Sequence, residues 1–147
     1  MAQVPKKIPT NITLAGRAIE AIKSPKYPNK CGYCQMFVRL VVQSLYGSQF
    51  DKWLWKESAH LAAEAFKESP YYVHPSHGSV IGDILYWSAT ANNPFGHVAI
   101  RIPGNMIAEN STRHAFTQYA CKGTASLHGI RPYQVIVRLP EGKIRMR

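Results

Sequence analysis

The chain has 147 residues, of which 46% are apolar and 18% are charged. This length fits one compact domain, and this composition is globular, without a low-complexity tract or a long repeat. The longest apolar runs are interrupted by Arg39 or Asp83, which excludes a segment of the roughly 20 apolar residues that cross a membrane. We therefore expect a single domain over residues 1–147, with residues 1–9 as an N-terminal extension.

The net charge of +10 predicts attraction to an anionic partner. The basic residues are spread along the chain from Lys6 to Arg147, form no stripe on one helix, and accompany no signature of a nucleic-acid-binding module. We interpret the charge as a general attraction to an anionic target, such as an anionic membrane or the anionic polymers of a bacterial envelope, with plain solubility as the alternative. We expect no nucleic-acid partner. A basic nucleic-acid-binding module, recognisable by salt-dependent DNA binding, is the alternative from a different functional class.

The N-terminal residues and the cysteines bear on the compartment. Residues 1–9 contain two lysines but no apolar core of the kind that secretion signals carry. Three cysteines, an odd number, favour a reducing compartment over a disulfide framework. We expect a monomer that is made in the cytoplasm without a signal peptide and has a free thiol available.

Two helices are predicted on either side of the cysteine-rich region. Thr10 or Asn11 can cap a first helix that ends before Pro25. An alanine-rich helix is predicted from about Glu57 through Phe66, because this stretch has high helix propensity and ends before a Ser-Pro pair.

Cys34 stands at the head of another predicted helix, which extends to Leu45 and follows a proline-containing loop. The helical period places Cys34 on an apolar face and places Gln35, Arg39 and Gln43 in a polar stripe elsewhere. Backbone N–H groups at a helix start favour a thiolate, as a nucleophile requires. Free cysteine is also a common core residue, so this position alone leaves both interpretations open.

Strand spacing replaces helical spacing in the second half of the chain. The predicted strands cover residues 84–87, 97–102, 106–109 and 133–139. Because helices come first and strands later, we predict an α+β fold in which N-terminal helices pack on an antiparallel sheet.

His97 opens the second of these strands and is a base suited to a thiol nucleophile. A turn at residues 103–105 would form a hairpin that places His97 opposite residues 109–111. Glu109 and Asn110 lie there, and either side chain could fix the tautomer of the imidazole. A one-residue choice of register decides which of the two faces His97.

Cys31 and Cys34 form a C-x-x-C pattern, which also occurs in redox pairs and zinc sites. No βαβ strand precedes it and no second C-x-x-C follows, so a thiol oxidoreductase or a zinc-stabilised interaction domain is the weaker interpretation. The remaining possible ligands lie on predicted loops: His74, His77, His114, Cys121 and His128. We expect no metal and no cofactor, and Cys31 becomes the rival nucleophile if the helix begins one turn earlier.

A series of short motifs resembles the NlpC-type and CHAP-type cell-wall cysteine peptidases and amidases over residues 30–111. In chain order they are Cys34-Gln35-Met36-Phe37-Val38-Arg39, Gly82-Asp83-Ile84-Leu85-Tyr86-Trp87, Gly96-His97-Val98-Ala99-Ile100 and Ala108-Glu109-Asn110-Ser111. The resemblance implies a papain-like core with Cys34 as nucleophile, His97 as base and Glu109 as the orienting residue, with Asn110 adjacent. The Asp-Cys-Ser-Gly string of the NlpC branch is replaced by Tyr-Cys-Gln-Met, so the motifs do not decide between the NlpC and CHAP branches.

The same resemblance implies a substrate and a biological setting. The substrate would be bacterial peptidoglycan, cleaved by acyl transfer at an amide bond of the stem peptide or between peptide and sugar. The resemblance and the charge together suggest a phage endolysin that acts on the cell wall after release. A delivered antibacterial toxin with the same chemistry is the alternative.

Overall fold

The structure is a computed structural model that describes residues 10–27, 33–91, 93–110, 121–127 and 132–141. These residues form four α-helices: α1 (Ile12–Lys23), α2 (Cys34–Tyr46), α3 (Asp51–Leu54) and α4 (Ala59–Lys67). They also form six strands: β1 (Tyr72–Val73), β2 (Ile84–Trp87), β3 (His97–Ile102), β4 (Met106–Asn110), β5 (Lys122–Ser126) and β6 (Val135–Val137). Helices precede strands, which confirms the predicted α+β class. None of these helices has both the length and the apolar character needed to span a bilayer.

The six strands form one antiparallel sheet in the order β1-β6-β2-β3-β4-β5. The predicted hairpin is the β3–β4 pair, in which Ile100 lies opposite Ala108. Its turn contains Gly104 and Asn105, which have φ angles of 84° and 55°. Glycine and asparagine tolerate this left-handed region better than other residues do, so the turn sequence suits its backbone.

The two faces of the sheet bury different clusters, as the period-2 alternation of side chains requires. One face packs against the helices and includes Ile84, Tyr86, Val98, Ile100 and Ala108. The opposite face carries a smaller cluster made of Leu85, Trp87, Ala99, Ile107 and Ile136. Cys34 belongs to the helix-side cluster, so the start of α2 is held against the sheet.

Three short elements, α3, β1 and β5, are not predicted by the sequence pattern. Strand β5 is Lys-Gly-Thr-Ala-Ser and pairs with β4 along its whole length. Such a sequence has little strand propensity, so the hydrogen bonds offered by β4 define this edge strand. Helix α4 begins at Ala59 because the Ser58 side chain accepts a hydrogen bond from the N–H of Leu61, later than the predicted start at Glu57.

The Gly82-Asp83 motif fixes the start of β2. Gly82 has a φ of +90°, and a Cβ atom there would lie 2.1 Å from the backbone oxygen of Asn11. The buried Asp83 carboxylate accepts hydrogen bonds from Nε and Nη2 of Arg138 at 2.9 and 2.8 Å, and one from the N–H of Val80 at 2.8 Å. The motif thus joins α1, β2 and the segment after β6.

Lys122 on β5 ties the end of α1 to the sheet. Its Nζ atom donates to the carbonyl oxygens of Ala21, Ser24 and Tyr27 at 3.0, 2.7 and 2.7 Å. The carbonyl end of a helix favours a cation, although burial lowers the pKa of Lys122. The turn at residues 24–27, which precedes the cysteine helix in the chain, is thereby fixed to the sheet edge.

Candidate active site

Cys34 is the first residue of α2, as predicted, and is 8% exposed. No side chain caps this helix start, since Tyr33 at the N-cap position makes no capping hydrogen bond through its side chain. The first backbone bond of the helix runs from the N–H of Phe37 to the carbonyl of Tyr33, at 3.1 Å. The sulfur therefore lies at the end of the helix where the dipole favours negative charge.

Gln35 anchors the start of α2, and the prediction that it lies in a polar stripe away from the core is wrong. It is 6% exposed, and its Nε2 atom donates to the carbonyl of Leu54 at 2.7 Å. Its Oε1 atom accepts from the hydroxyl of Tyr86 at 3.3 Å. Burial raises the pKa of Tyr86, so this hydroxyl stays protonated and stays a donor. The residue next to the candidate nucleophile thus connects α2 to both α3 and β2.

Gly96 determines where His97 enters the site. The φ of Gly96 is +72°, and a Cβ atom there would lie 2.7 Å from the backbone oxygen of Trp87 and 3.2 Å from the backbone nitrogen of His60. Only glycine fits this approach without a shift of the surrounding backbone. His97 follows as the first residue of β3, and its ring lies 5.4 Å from that of Trp87 between centroids.

Glu109 contacts His97 directly. Its Oε1 atom lies 2.7 Å from Nε2 of His97. The β3–β4 register, in which Ile100 opposes Ala108, places Glu109 on the same sheet face as His97 and diagonal to it. Because Nε2 faces the carboxylate, Nδ1 is the ring nitrogen left for the thiol.

Asn110 lies on the cysteine side of the site. Its Nδ2 atom donates to the carbonyl of Tyr33 at 3.4 Å, directly before Cys34. Like Glu109, Asn110 is fully buried, but its side chain leaves β4 on the other face. The structure thus gathers all four predicted site residues, with Glu109 against the imidazole and Asn110 against the start of the cysteine helix.

The pKa of His97 is raised from its ordinary value to about 9. Burial acts in the opposite direction, because it disfavours the charged imidazolium. Hydrogen bonds to Cys34 and Glu109, together with the negative charges of these two groups, outweigh the burial. A pKa raised in this way favours the imidazolium form of His97 beside the Glu109 carboxylate at neutral pH.

An open cleft of about 1100 Å³ gives access to this group. Its walls come from the start of α2, the segment between α3 and α4, and the residues before β3. The lining residues include Cys34, His97, Asn110, Arg39, Lys56, Glu57 and Asn93. Four large side chains of the cleft are exposed: Tyr33, Trp55, Leu61 and Phe95. Exposed apolar side chains gathered around a concave surface are typical of a ligand site.

Cys121 departs from the expectation of a reducing compartment without disulfides. Cys121 is disulfide-bonded, whereas Cys34 is a free cysteine. An odd number of cysteines leaves room for one disulfide beside a free thiol, so the count alone could not exclude a disulfide. The rival nucleophile, Cys31, lies outside the described residues.

No metal centre is formed by the part of the chain that the structure describes, where no group of three or more His, Cys, Asp or Glu side chains could hold an ion. His74 and His77 lie at the ends of a short 3₁₀ turn, and the Nδ1 atom of His74 accepts from the N–H of Ser76 at 3.1 Å. Two of the possible ligands named above, His114 and His128, lie outside the described residues.

Neither a known family nor a curated protein matches the sequence, but solved structures match the fold. The NlpC/p60 domain of the peptidoglycan hydrolase SagA superposes with a TM-score of 0.55 at 17% identity, covering 86% of this chain and 96% of that domain. Ly7917 matches with a TM-score of 0.55 at 14% identity, and its structure with the hydrolyzing product of MDP matches with 0.56 at 15%. These two matches cover 84% and 89% of this chain but only 62% and 63% of Ly7917.

These similarities establish the fold. The chain has the NlpC/p60-like fold of peptidoglycan hydrolase domains, in which N-terminal helices precede a six-stranded antiparallel sheet. The resemblance predicted from the four short motifs is confirmed at this level.

Proposed function

We propose that this protein is a thiol hydrolase that cleaves an amide bond of bacterial peptidoglycan, with Cys34 as nucleophile, His97 as acid and base, and Glu109 as the orienting residue. One observation carries the proposal: the Glu109 carboxylate lies 2.7 Å from Nε2 of His97, and His97 and Cys34 line the same open cleft. The likeness to SagA and Ly7917 supports peptidoglycan as the substrate.

The proposed reaction is acyl transfer through a thioester. The Cys34 thiolate attacks the amide carbonyl carbon, forming a C–S bond and an oxyanion that accepts hydrogen bonds from backbone N–H groups such as that of Cys34. The imidazolium of His97 then gives its proton to the leaving nitrogen as the C–N bond breaks. Water, losing a proton to His97, attacks the thioester; the C–S bond breaks, and the acid and the thiolate are released.

The two buried polar residues of β4 have different proposed roles. The Glu109 carboxylate at 2.7 Å from Nε2 keeps the proton on that nitrogen, so that Nδ1 faces the sulfur, and it stabilises the imidazolium. Asn110 acts as a positioning residue, because it holds the carbonyl of Tyr33 and with it the first turn of α2.

Clearing of permeabilised bacterial walls, followed by mass spectrometry of the fragments, tests this function. We expect the wild-type protein to release fragments with one new amine terminus. This amine lies on the first residue of the stem peptide for an amidase that separates peptide and sugar, and on a later residue for a stem-peptide endopeptidase. Cys34→Ala and His97→Ala should abolish release, and Glu109→Ala should reduce it about 100-fold. Ser76→Ala, on the exposed 3₁₀ turn, is the control that should keep full activity. Undiminished release by Cys34→Ala would refute the proposal.

We also propose the setting of a phage endolysin, since a basic protein of this kind would collect on the anionic envelope. Expression inside a bacterium should leave the cells intact until their membrane is permeabilised, and lysis should then follow within minutes. The Cys34→Ala variant provides the matched control. Persistence of intact cells after permeabilisation would count against this setting, whereas a delivered toxin would share the chemistry.

A further inference from the structure

Arg39 occupies an unusual position on the wall of the cleft. It lies on α2, five residues after Cys34, and lines the cleft together with Trp55. The guanidinium carbon lies 3.9 Å from the centroid of the Trp55 ring, and that ring is 58% exposed. Stacking on an aromatic face holds the planar guanidinium in one orientation and leaves its edge available for hydrogen bonds.

Arg39 differs from the other three arginines of the described residues in having no polar partner there. Arg17 donates to the hydroxyl of Ser44. Arg101 donates to the side chain of Asn105 at 2.6 Å. Arg138 donates to the carboxylate of Asp83 at 2.8 and 2.9 Å. Arg39, in contrast, makes no hydrogen bond or ion pair with a described residue; its Nε atom, like that of Arg101, is buried without a partner.

The terminal N–H groups of Arg39 also have no partner among the described residues, so a bound acceptor can pair with them without breaking a hydrogen bond inside the protein. Glu57 is the acidic side chain in the described lining of the cleft, and it forms no ion pair with Arg39. Lys56 and Glu57 both line the cleft and are exposed, so their charges offset one another. The guanidinium of Arg39 therefore gives this wall of the cleft a net positive charge close to the proposed nucleophile.

We infer that Arg39 and Trp55 form a specificity subsite that binds a carboxylate of the peptide substrate. This inference rests on the proposed function, since it names the group that the same cleft recognises. Two parallel hydrogen bonds from the guanidinium edge suit the geometry of a carboxylate, and a neutral carboxamide cannot accept both. The exposed face of Trp55 packs against the apolar part of the residue that carries the carboxylate.

Two forms of one substrate test the subsite: a soluble muropeptide with free carboxylates, and the same muropeptide after conversion of its carboxylates to carboxamides. We expect wild-type protein to favour the carboxylate form by about 10- to 100-fold in kcat/KM. Arg39→Gln should remove this preference by raising KM for the carboxylate form, with kcat little changed. Arg39→Lys, which keeps the charge but not the planar fork, should retain part of the preference.

Lys52→Gln is the matched control, because it removes one positive charge next to another tryptophan, with Nζ 5.5 Å from the Trp53 ring, outside the cleft lining. This variant should keep the full preference. An equal loss in Lys52→Gln and Arg39→Gln would show a general effect of charge and overturn the subsite, as would an undiminished preference in Arg39→Gln.

Binding to the Cys34→Ala variant separates the subsite from the catalytic proposal. Calorimetry with the same two muropeptides should give tighter binding of the carboxylate form, and Arg39→Gln in this background should abolish the difference. A binding preference without any turnover by wild-type protein would refute the proposed hydrolysis and leave the subsite standing. Turnover with equal binding and equal kcat/KM for the two muropeptides would refute the subsite alone.

Discussion

At the residue scale, the chemistry of the site depends on the surroundings of one imidazole. His97 is mostly buried, with 14% of its side chain exposed, and burial alone would make it a weaker base. The hydrogen bonds to Cys34 and Glu109 reverse this effect and raise its pKa to about 9. A histidine that stays protonated at neutral pH stabilises a neighbouring thiolate and has a proton ready for the leaving nitrogen.

The first residue-scale prediction concerns that shared proton. In the Cys34→Ala variant we expect the pKa of His97 to fall well below about 9, because the hydrogen bond to Cys34 is the largest of the contributions that raise it. Titration of the His97 ring protons by NMR in the two proteins measures the change. An unchanged pKa would show that the sulfur and the imidazole do not interact.

The second prediction is a pH profile. His97 must be protonated to serve the leaving group, and a raised pKa means that the proton is present below about pH 9 and is lost as the pH rises through that value. The kcat/KM for a soluble muropeptide should therefore fall on the alkaline side near pH 9. Glu109→Gln removes one contribution that raises the pKa, so its alkaline limb should move to lower pH. A limb at the same pH in both proteins would contradict this role of Glu109.

At the scale of secondary-structure elements, glycines and one ion pair set the positions of β2 and β3. Gly96 lets the chain pass close to the backbone of Trp87 and of α4 before His97 begins β3. The ion pair between Asp83 and Arg138 joins the start of β2 to the segment after β6. The motif residues beside the catalytic candidates thus act through backbone approach and charge pairing.

Gly96→Ala should lower kcat/KM by about 100-fold. The new Cβ atom would lie 2.7 Å from the backbone oxygen of Trp87, and the shift that relieves this clash moves His97 away from Cys34. Small displacements of reacting groups cause large losses of rate. Gly104→Ala in the β3–β4 turn is the matched control, since it has a similar φ of +84° but its nearest contact is 3.8 Å away. Both variants should lose thermal stability. Only Gly96→Ala should lose activity when it is assayed in its folded form. Equal kcat/KM values for the two folded variants would contradict this role of Gly96.

Arg138→Met should reduce the free energy of unfolding by about 3 kcal/mol, because it leaves the buried Asp83 carboxylate without its cation. Arg138→Lys keeps the charge but not the two-pronged geometry, so its loss should be smaller. Urea denaturation followed by fluorescence measures both. A loss of less than about 1 kcal/mol in Arg138→Met, the value of an exposed pair, would show that water replaces the arginine.

At the scale of the whole molecule, part of the positive charge is concentrated near the C-terminal end of the sequence. Residues 142–147 contain three basic residues, Lys143, Arg145 and Arg147, and no acidic residue. The attraction to an anionic surface is therefore separable by mutation from the charges that border the cleft.

Replacing Lys143, Arg145 and Arg147 with glutamine should weaken sedimentation of the protein with bacterial walls by about tenfold or more. Turnover of a soluble muropeptide should stay the same, because the proposed chemistry uses Cys34, His97, Glu109 and Asn110 and none of these three residues. Raising the salt concentration should produce the same loss of wall binding in the wild-type protein, since salt screens exposed charges. Equal wall binding by the two proteins at low salt would contradict this role of the charge.

The sequence was sufficient for those features that depend on neighbours along the chain. These features are the helical period and the capping residue of α1, the alternation in β2 and β3, and the turn at Gly104 and Asn105. Each of them is specified by residues that lie close together in the sequence. Strand β5 could not be predicted in this way, because its Lys-Gly-Thr-Ala-Ser sequence becomes a strand only where β4 offers hydrogen bonds.

By itself, the sequence determined that a cysteine opens a helix, that a histidine opens a strand, and that Glu109 and Asn110 follow the turn of a hairpin. Only the tertiary structure decided that Glu109 contacts the imidazole, that Gln35 is buried, and that Arg39 stacks on Trp55. The physical reason is that a periodic pattern specifies on which side of its own element a residue lies. The group that it meets there depends on how distant elements pack.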